Sequence, residues 1–371
     1  MTKRFSLSIS AIALSVAMLP STGFAQYSGD PFFDNTVALS QAYGLESIGL
    51  RLDLASAFDV PYDDELVETI EGVTGGALER FEGTLAAADA ELAQNLRAAL
   101  EEVAEAAEEG EDTSAAVEEA RALLAQAYDV VIPQDLRGTP AFTGGIMIQL
   151  LLAEEGVAEG YEEAAEGNEP WEYPNGWVAL QRVKALWSEI EADASEQHAA
   201  DALEMFDVLD GLYPQAEPPE SVAGWNPEEA EAPAQRLGGI VETVVDANLY
   251  PGRDAARLSG HLVALAGEAC TVYDEDEAVA RETLYALYDL YDGELAGVAS
   301  LFVPEDEETA SDMFGILIGA GDDDDDDDDD AGAEADDDDD DDDDDDVTLS
   351  GAEACGELQT ALTNIQGAFG G

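Results

Sequence analysis

Lysine is almost missing from this chain. Of 13 basic residues in 371, only Lys3 and Lys184 are lysines, and they stand against 86 acidic residues for a formal net charge of −73. So few positive groups cannot be assembled into a basic patch, which excludes nucleic acid, phosphate-rich ligands and anionic membranes as natural partners. Histidine is nearly absent too: His198 and His261 are the only two, neither lies in an HExxH motif, and no GxSxG elbow marks a nucleophilic serine. Two cysteines, Cys270 and Cys355, are too few for a four-thiolate iron–sulfur cluster and too far apart for a CxxC redox pair. Beyond the first twenty residues no apolar run is long enough to cross a bilayer. Alternating strand patterns are scarce as well, while alanine, leucine and glutamate abound, so the expected fold class is all-α: an antiparallel helical bundle or stacked helical hairpins.

What is present begins with Lys3 and Arg4, an apolar stretch from Leu7 to Leu19, and small residues near Ala25. That is the layout of a cleaved secretory signal over 1–25, and it implies a periplasmic or extracellular chain with no membrane insertion of the mature protein. Near the other end, nine aspartates (322–330) and eleven more (336–346) flank AGAEA. Such a tract cannot bury apolar surface and repels itself, so a disordered insertion over 321–346 is expected. Removing Lys3 and Arg4 leaves eleven bases, and setting the twenty tract aspartates aside still leaves 66 acids. The acidity is therefore general, and it suits a salty medium in which screening tolerates self-repulsion. In an exported chain the two cysteines are expected to form one disulfide that closes a loop around the tract, with free thiols or an intermolecular bridge as the alternatives.

Apolar periodicity places helices at 36–58, from 64 onward with breaks at Gly72, Gly75 and Gly76, at 114–131, 142–166, 177–190, 196–213, 234–250, 255–273, 278–302 and 307–318, with a short one at 355–369. Pro233 suits the first turn of the helix at 234, and Asp274-x-x-Glu277 reads as a capping box for the helix at 278. The organisation is then a helical hairpin region over 26–215, a Pro/Glu-rich loop over 216–228, a second helical region over 229–320, and a C-terminal tail over 347–371. Trp171 and Trp225 fall in loops and are expected to be exposed. Arg182 and Lys184, rare positives on the helix that carries Trp177 and Trp187, are expected to pair with neighbouring acids.

Chemistry concentrates in one segment. Glu155, Glu159, Glu162 and Glu166 follow i, i+4, i+7, i+11 spacing, so on one continuous helix their carboxylates share a face. A bound cation would relieve that repulsion, and hard oxygen ligands favour calcium, magnesium or iron. His198, close to Glu196 and Asp201, and His261, seven residues before Glu268, are the remaining candidate metal ligands. The di-metal bundle pattern of Glu-x-x-His on two helices is missing.

The segment at 151–161 (LLAEEGVAEGY), the Tyr-Pro-Asn-Gly turn at 173–176 and the helix WVALQRVKALW at 177–187 resemble exported helical domains of halophilic prokaryotes. In layout they are distantly similar to imelysin-like and iron-permease-associated periplasmic domains. The imelysin-type Gly-x-His-x-x-Glu does not occur: Gly260 abuts His261, and Ala264 stands where the glutamate would be. The resemblance implies an all-helical exported protein in support of metal uptake. The leading functional expectation is thus a secreted, non-catalytic acidic protein that binds divalent or ferric cations through clustered carboxylates, with another exported or membrane protein as a partner. A scaffold or interaction module without a metal site is the alternative, and an enzyme of unknown class the third reading.

Overall fold

A computed structural model describes residues 29–319 and 349–370, apart from 59, 61, 63, 154, 155, 167–169, 220 and 223. The expected signal over 1–25 and the aspartate tract lie outside these residues. Among the described residues there are no strands, only an isolated bridge between Gly29 and Ala247.

The fold is organised around Thr36–Ala57 (α1). Fourteen of its 22 residues are buried, more than a single apolar stripe supplies, so it is enclosed on several sides. Leu39, Ile48, Leu52 and Leu54 are almost wholly buried, each contributing about 2 kcal/mol relative to exposure. A central helix of this kind must also accommodate its polar residues. Thr36, Ser40, Gln41 and Ser47 are buried with it. Gly44 permits a close approach: a Cβ there would collide with the Ala77 carbonyl oxygen, so the short helix Gly76–Glu79 can lie directly on α1.

Three groups of helices meet on this hub. Asp64–Glu71 (α2) and Ala90–Glu108 (α3) pack together, and α3 pairs with Ser114–Val131 (α4), which rests on α1. Between α2 and α3 the chain breaks at the expected glycines, and again at Asp89, whose side chain caps α3 by accepting from the Leu92 N–H. The second group is Pro140–Leu152 (α5), Glu159–Glu166 (α6), Tyr173–Ile190 (α7), Glu196–Leu212 (α8) and Glu228–Val245 (α9). Here α7 packs on α5, α6 and α1, while α9 packs on α5 and α8. The third group is Ala255–Val272 (α10), Glu277–Tyr291 (α11), Pro304–Ile318 (α12) and Gly351–Phe369 (α13), with α13 lying against both α10 and α12 and α11 against α1. Cys270 and Cys355 are joined in a disulfide with a Cα–Cα distance of 5.7 Å, which fastens α13 to α10 across 85 residues.

Several element boundaries differ from the sequence expectation. The helix expected over 142–166 is two helices. Ala153 is extended, the Gly156 N–H turns back to the Ala153 carbonyl at 2.7 Å, and the N–H groups of Val157 and Ala158 cap the Leu150 and Leu151 carbonyls at 2.9 and 3.0 Å. The end of α5 is thus satisfied by chain doubling back on it. Helix α9 starts at Glu228 rather than 234, so Pro233 lies inside it; its ring is buried, as is nearby Ala230, and packing offsets the lost helical hydrogen bond. Asp276, not Asp274, caps α11 by accepting from the Val279 N–H. The expected helix over 278–302 is interrupted by a π-helical turn at Asp292–Ala296 before Gly297–Phe302 resumes. Trp225 is half-buried, its ring stacked on Tyr161 at 4.5 Å, because the 216–228 loop folds back over the aromatic cluster of Tyr161, Tyr173 and Tyr213.

A candidate ligand cleft

The break between α5 and α6 decides what becomes of the glutamate stripe. Glu155 and the side chain of Glu166 lie outside the described residues. Glu159 and Glu163, four apart on α6, both line a cleft of about 1040 Å³, whereas Glu162 is not on its wall. His198 is elsewhere, in the first turn of α8, where its backbone N–H is capped by the Ser195 hydroxyl at 3.1 Å. His261, on α10, is built into packing. The Thr36 hydroxyl has one proton and donates it to the Phe32 carbonyl, so the 2.8 Å contact to His261 Nε2 requires the imidazole to donate. The ring stands edge-on to Phe33 at 5.0 Å, and burial together with nearby Arg257 lowers its pKa. The two histidines therefore sit in separate helix pairs. Among the described residues no three histidine, cysteine, aspartate or glutamate side chains come together to hold a metal ion.

Five parts of the fold carry most of the cleft wall, and Phe32, the Gly76–Arg80 segment and Tyr250 with Arg253 complete it. Helix α1 presents Tyr43, Ser47 and Arg51, spaced by four on one face; α5 presents Ile148, Gln149 and Leu152; α6 presents its two glutamates; α9 presents Gln235 and Gly239. The fifth part is the end of α11 with its π-turn, which brings Tyr288, Asp289, Asp292 and Glu294 to the wall. A π-turn inserts an extra residue into the helix and occurs frequently at functional positions.

Charges on this wall are sorted. Arg80 pairs with Asp289, donates to the Ser40 hydroxyl at 3.2 Å, and lies 5.4 Å from the ring centres of both Tyr43 and Tyr285. Arg253 stacks on Tyr250 at 4.4 Å and donates to both oxygens of buried Glu242 at 2.8 Å. Arg51 donates to the Gly72 carbonyl at 3.0 Å. Tyr250 is pushed up to about 12 by burial and by Glu242, so its phenol stays protonated. Glu294 accepts from the Gly252 N–H at 2.8 Å, yet burial outweighs that bond and raises its carboxyl above the ordinary value. Asp292 is raised as well, first by desolvation and then by repulsion from Asp289. Gln149 supplies an orphan: its Oε1 is shielded from solvent and has no hydrogen-bond partner, an arrangement folded proteins rarely leave unmet. Five carboxylates thus face three guanidiniums around the cleft, a surplus of negative charge.

Of the two rare positives singled out in sequence, Arg182 makes a two-pronged pair with Glu46 at 2.6 Å and Lys184 pairs with Asp210 at 2.7 Å, both away from the cleft wall. Sequence reasoning missed Arg51, Arg80, Arg253, Gln149 and the π-turn carboxylates, because nothing in their local spacing links them. The scarcity of arginine was the one available signal. No family model, curated protein or solved structure matches this chain.

Proposed function

We propose that the protein is an exported, non-catalytic binding protein that takes a cationic ligand in the cleft between α1, α5, α6, α9 and the π-turn. The observation that carries this reading is the carboxylate surplus on the cleft wall. Burial holds Glu294 above its ordinary pKa, so a bound cation would relieve a cost the fold already bears. The sequence-level cation reading is retained, but its ligands move from a single helical stripe to carboxylates contributed by separate elements.

The test is calorimetric titration of the full chain, in concentrated potassium chloride, with calcium, magnesium, ferric citrate and small organic amines. The Asp292→Asn/Glu294→Gln variant is the control, since weak binding by the aspartate tract survives in it. Saturable heat that disappears in this variant is the expected result. Heat that is the same in variant and wild type refutes the cleft as the site.

A second reading, an extracytoplasmic interaction module, is favoured by an exposed apolar face. Val298, Leu301 and Phe302 are 43, 78 and 67 % exposed on one side of Gly297–Phe302, and Phe302 meets Phe369 of α13 edge-on at 6.0 Å. Loss of a co-purifying partner on Leu301→Ser/Phe302→Ser, with cation heats unaltered, would give that reading precedence.

A further inference from the structure

The aspartate tract connects two helices whose near ends stand on one side chain. Helix α12 is capped by Gly319, in the left-handed conformation at φ +80°, and its Leu317 carbonyl accepts from the Tyr273 hydroxyl and from Arg281 Nε, both at 3.2 Å. Helix α13 begins at Gly351, so close to the same ring that a Cβ there would lie 2.5 Å from Tyr273 Cε1. One turn further along α13, Cys355 is bonded to Cys270, three residues before Tyr273. The two ends of the tract's segment are thus held together at one point, with the disulfide beside it.

That point is itself acidic. The α10–α11 turn carries Asp274, Glu275, Asp276 and Glu277, Glu353 stands in the first turn of α13, and Arg281 is already engaged by the Leu317 carbonyl and by Glu277. Between 322 and 346 the sequence adds twenty aspartates and Glu334, with no basic residue from 320 to 348. These charges repel one another and the acids at the root, and the repulsion acts to part Gly319 from Gly351. Its reach depends on salt, because the screening length grows from about 3 Å at 1 M to about 10 Å at 0.1 M.

The element such a force can move is α13. It is seated on α10 and α12, and three of its buried positions are the small Ala354, Cys355 and Ala361, which leaves Leu358, Leu362 and Ile365 to supply most of the apolar hold. Both helix ends are satisfied from within, by the Ser350–Glu353 capping box and by the Gly370 N–H on the Gln366 carbonyl at 2.8 Å, so undocking orphans no backbone group there. Apart from residues 320–348, the disulfide is the one covalent link between α13 and the body of the fold.

We propose that the Cys270–Cys355 bridge is a clamp against the tract: it keeps α13 seated between α10 and α12 as the surrounding salt falls, and without it dilution releases α13 alone.

Hydrogen exchange read by mass spectrometry on the full chain tests this, comparing amides of 351–369 with those of 36–57 in the same sample at about 1 M and about 0.1 M potassium chloride. In wild type, α13 keeps its protection relative to α1 at both salts. In Cys270→Ala/Cys355→Ala, exchange in α13 is expected to accelerate about tenfold or more at the lower salt while α1 is unchanged. Replacing the twenty tract aspartates by asparagine in that variant should restore slow exchange, since chain length and linkage are the same and only charge is removed. The clamp is overturned if α13 in the bridgeless chain does not respond to salt, if the response persists with the neutral tract, or if wild type responds alike. Loss of α1 protection together with α13 also overturns it, since that is general unfolding in dilute salt rather than release of one helix.

Discussion

Replacing Glu282 gives the sharpest test of how this acidic chain is held together. Glu282 is 1 % exposed, on α11 in the seam against α1. Its oxygens accept from the Thr84 N–H at 2.7 Å, from the Thr84 hydroxyl, and from Gln41 Nε2 at 3.1 Å. Glu282→Leu would leave those three donors facing hydrocarbon, each costing about 1–3 kcal/mol. Gln41 Nε2 already reaches the Thr84 hydroxyl at 3.1 Å, which softens part of that loss. The net expectation is destabilisation by about 3–5 kcal/mol. Glu282→Gln is milder, within about 1 kcal/mol of wild type, because the Thr84 hydroxyl and the Gln41 amide can both turn to meet the new N–H₂.

The pH dependence separates charge from shape. Burial raises the Glu282 carboxyl above its ordinary value of 4.5, against the pull of its hydrogen bonds. A carboxyl raised in the folded state binds its proton more tightly there than in the unfolded chain. Wild type therefore gains stability relative to Glu282→Gln as pH falls through the raised folded-state value, and the gain is complete below 4.5. Urea unfolding followed by tryptophan fluorescence, at neutral and mildly acidic pH in concentrated salt, reads both effects, and subtracting the two proteins cancels the titration of the other acids. A Leu variant as stable as wild type, or a wild-type-minus-Gln difference that ignores pH, would refute the reasoning.

Two further outcomes are expected. The Cys270–Cys355 bridge spans 85 residues, so reduction, or Cys270→Ser/Cys355→Ser, should lower stability by about 3–4 kcal/mol; an unmoved urea midpoint in chain with two titratable thiols would contradict this. Gly44→Ala should reverse the usual helix preference: an exposed helical glycine gains about 1 kcal/mol on becoming alanine, but here the Cβ meets the Ala77 carbonyl, and a loss of about 2 kcal/mol or more is expected in the same assay.

Much of the fold was legible because helices announce themselves locally. The stretch 114–131 was bounded to the residue, and α1, α8 and α10 to within one, since apolar spacing and the following proline or polar break are local signals. Failures came where distant contacts overrode them. Pro233 signalled a helix start, yet buried packing let α9 begin at Glu228. The alanine- and glutamate-rich 142–166 run read as one helix, yet Gly156 and the Leu150 and Leu151 carbonyls made a reversal that no periodicity encodes. The π-turn at Asp292–Ala296 is likewise invisible to a 3.6-residue period.

Composition alone determined that the chain is helical and that its surface is acidic throughout, because propensity and charge are sums over residues and need no partner. The pairing of Cys270 with Cys355 was also readable, as the only intrachain choice open to two cysteines. Only the tertiary structure decided which acids matter. It put Glu159 but not Glu162 of the expected stripe on the wall of a cleft, together with Glu163, which lies outside that stripe, and with Asp292 and Glu294, more than a hundred residues away in sequence. Burial, not sequence, makes a carboxylate costly to leave unpartnered, and burial is settled by which helices pack.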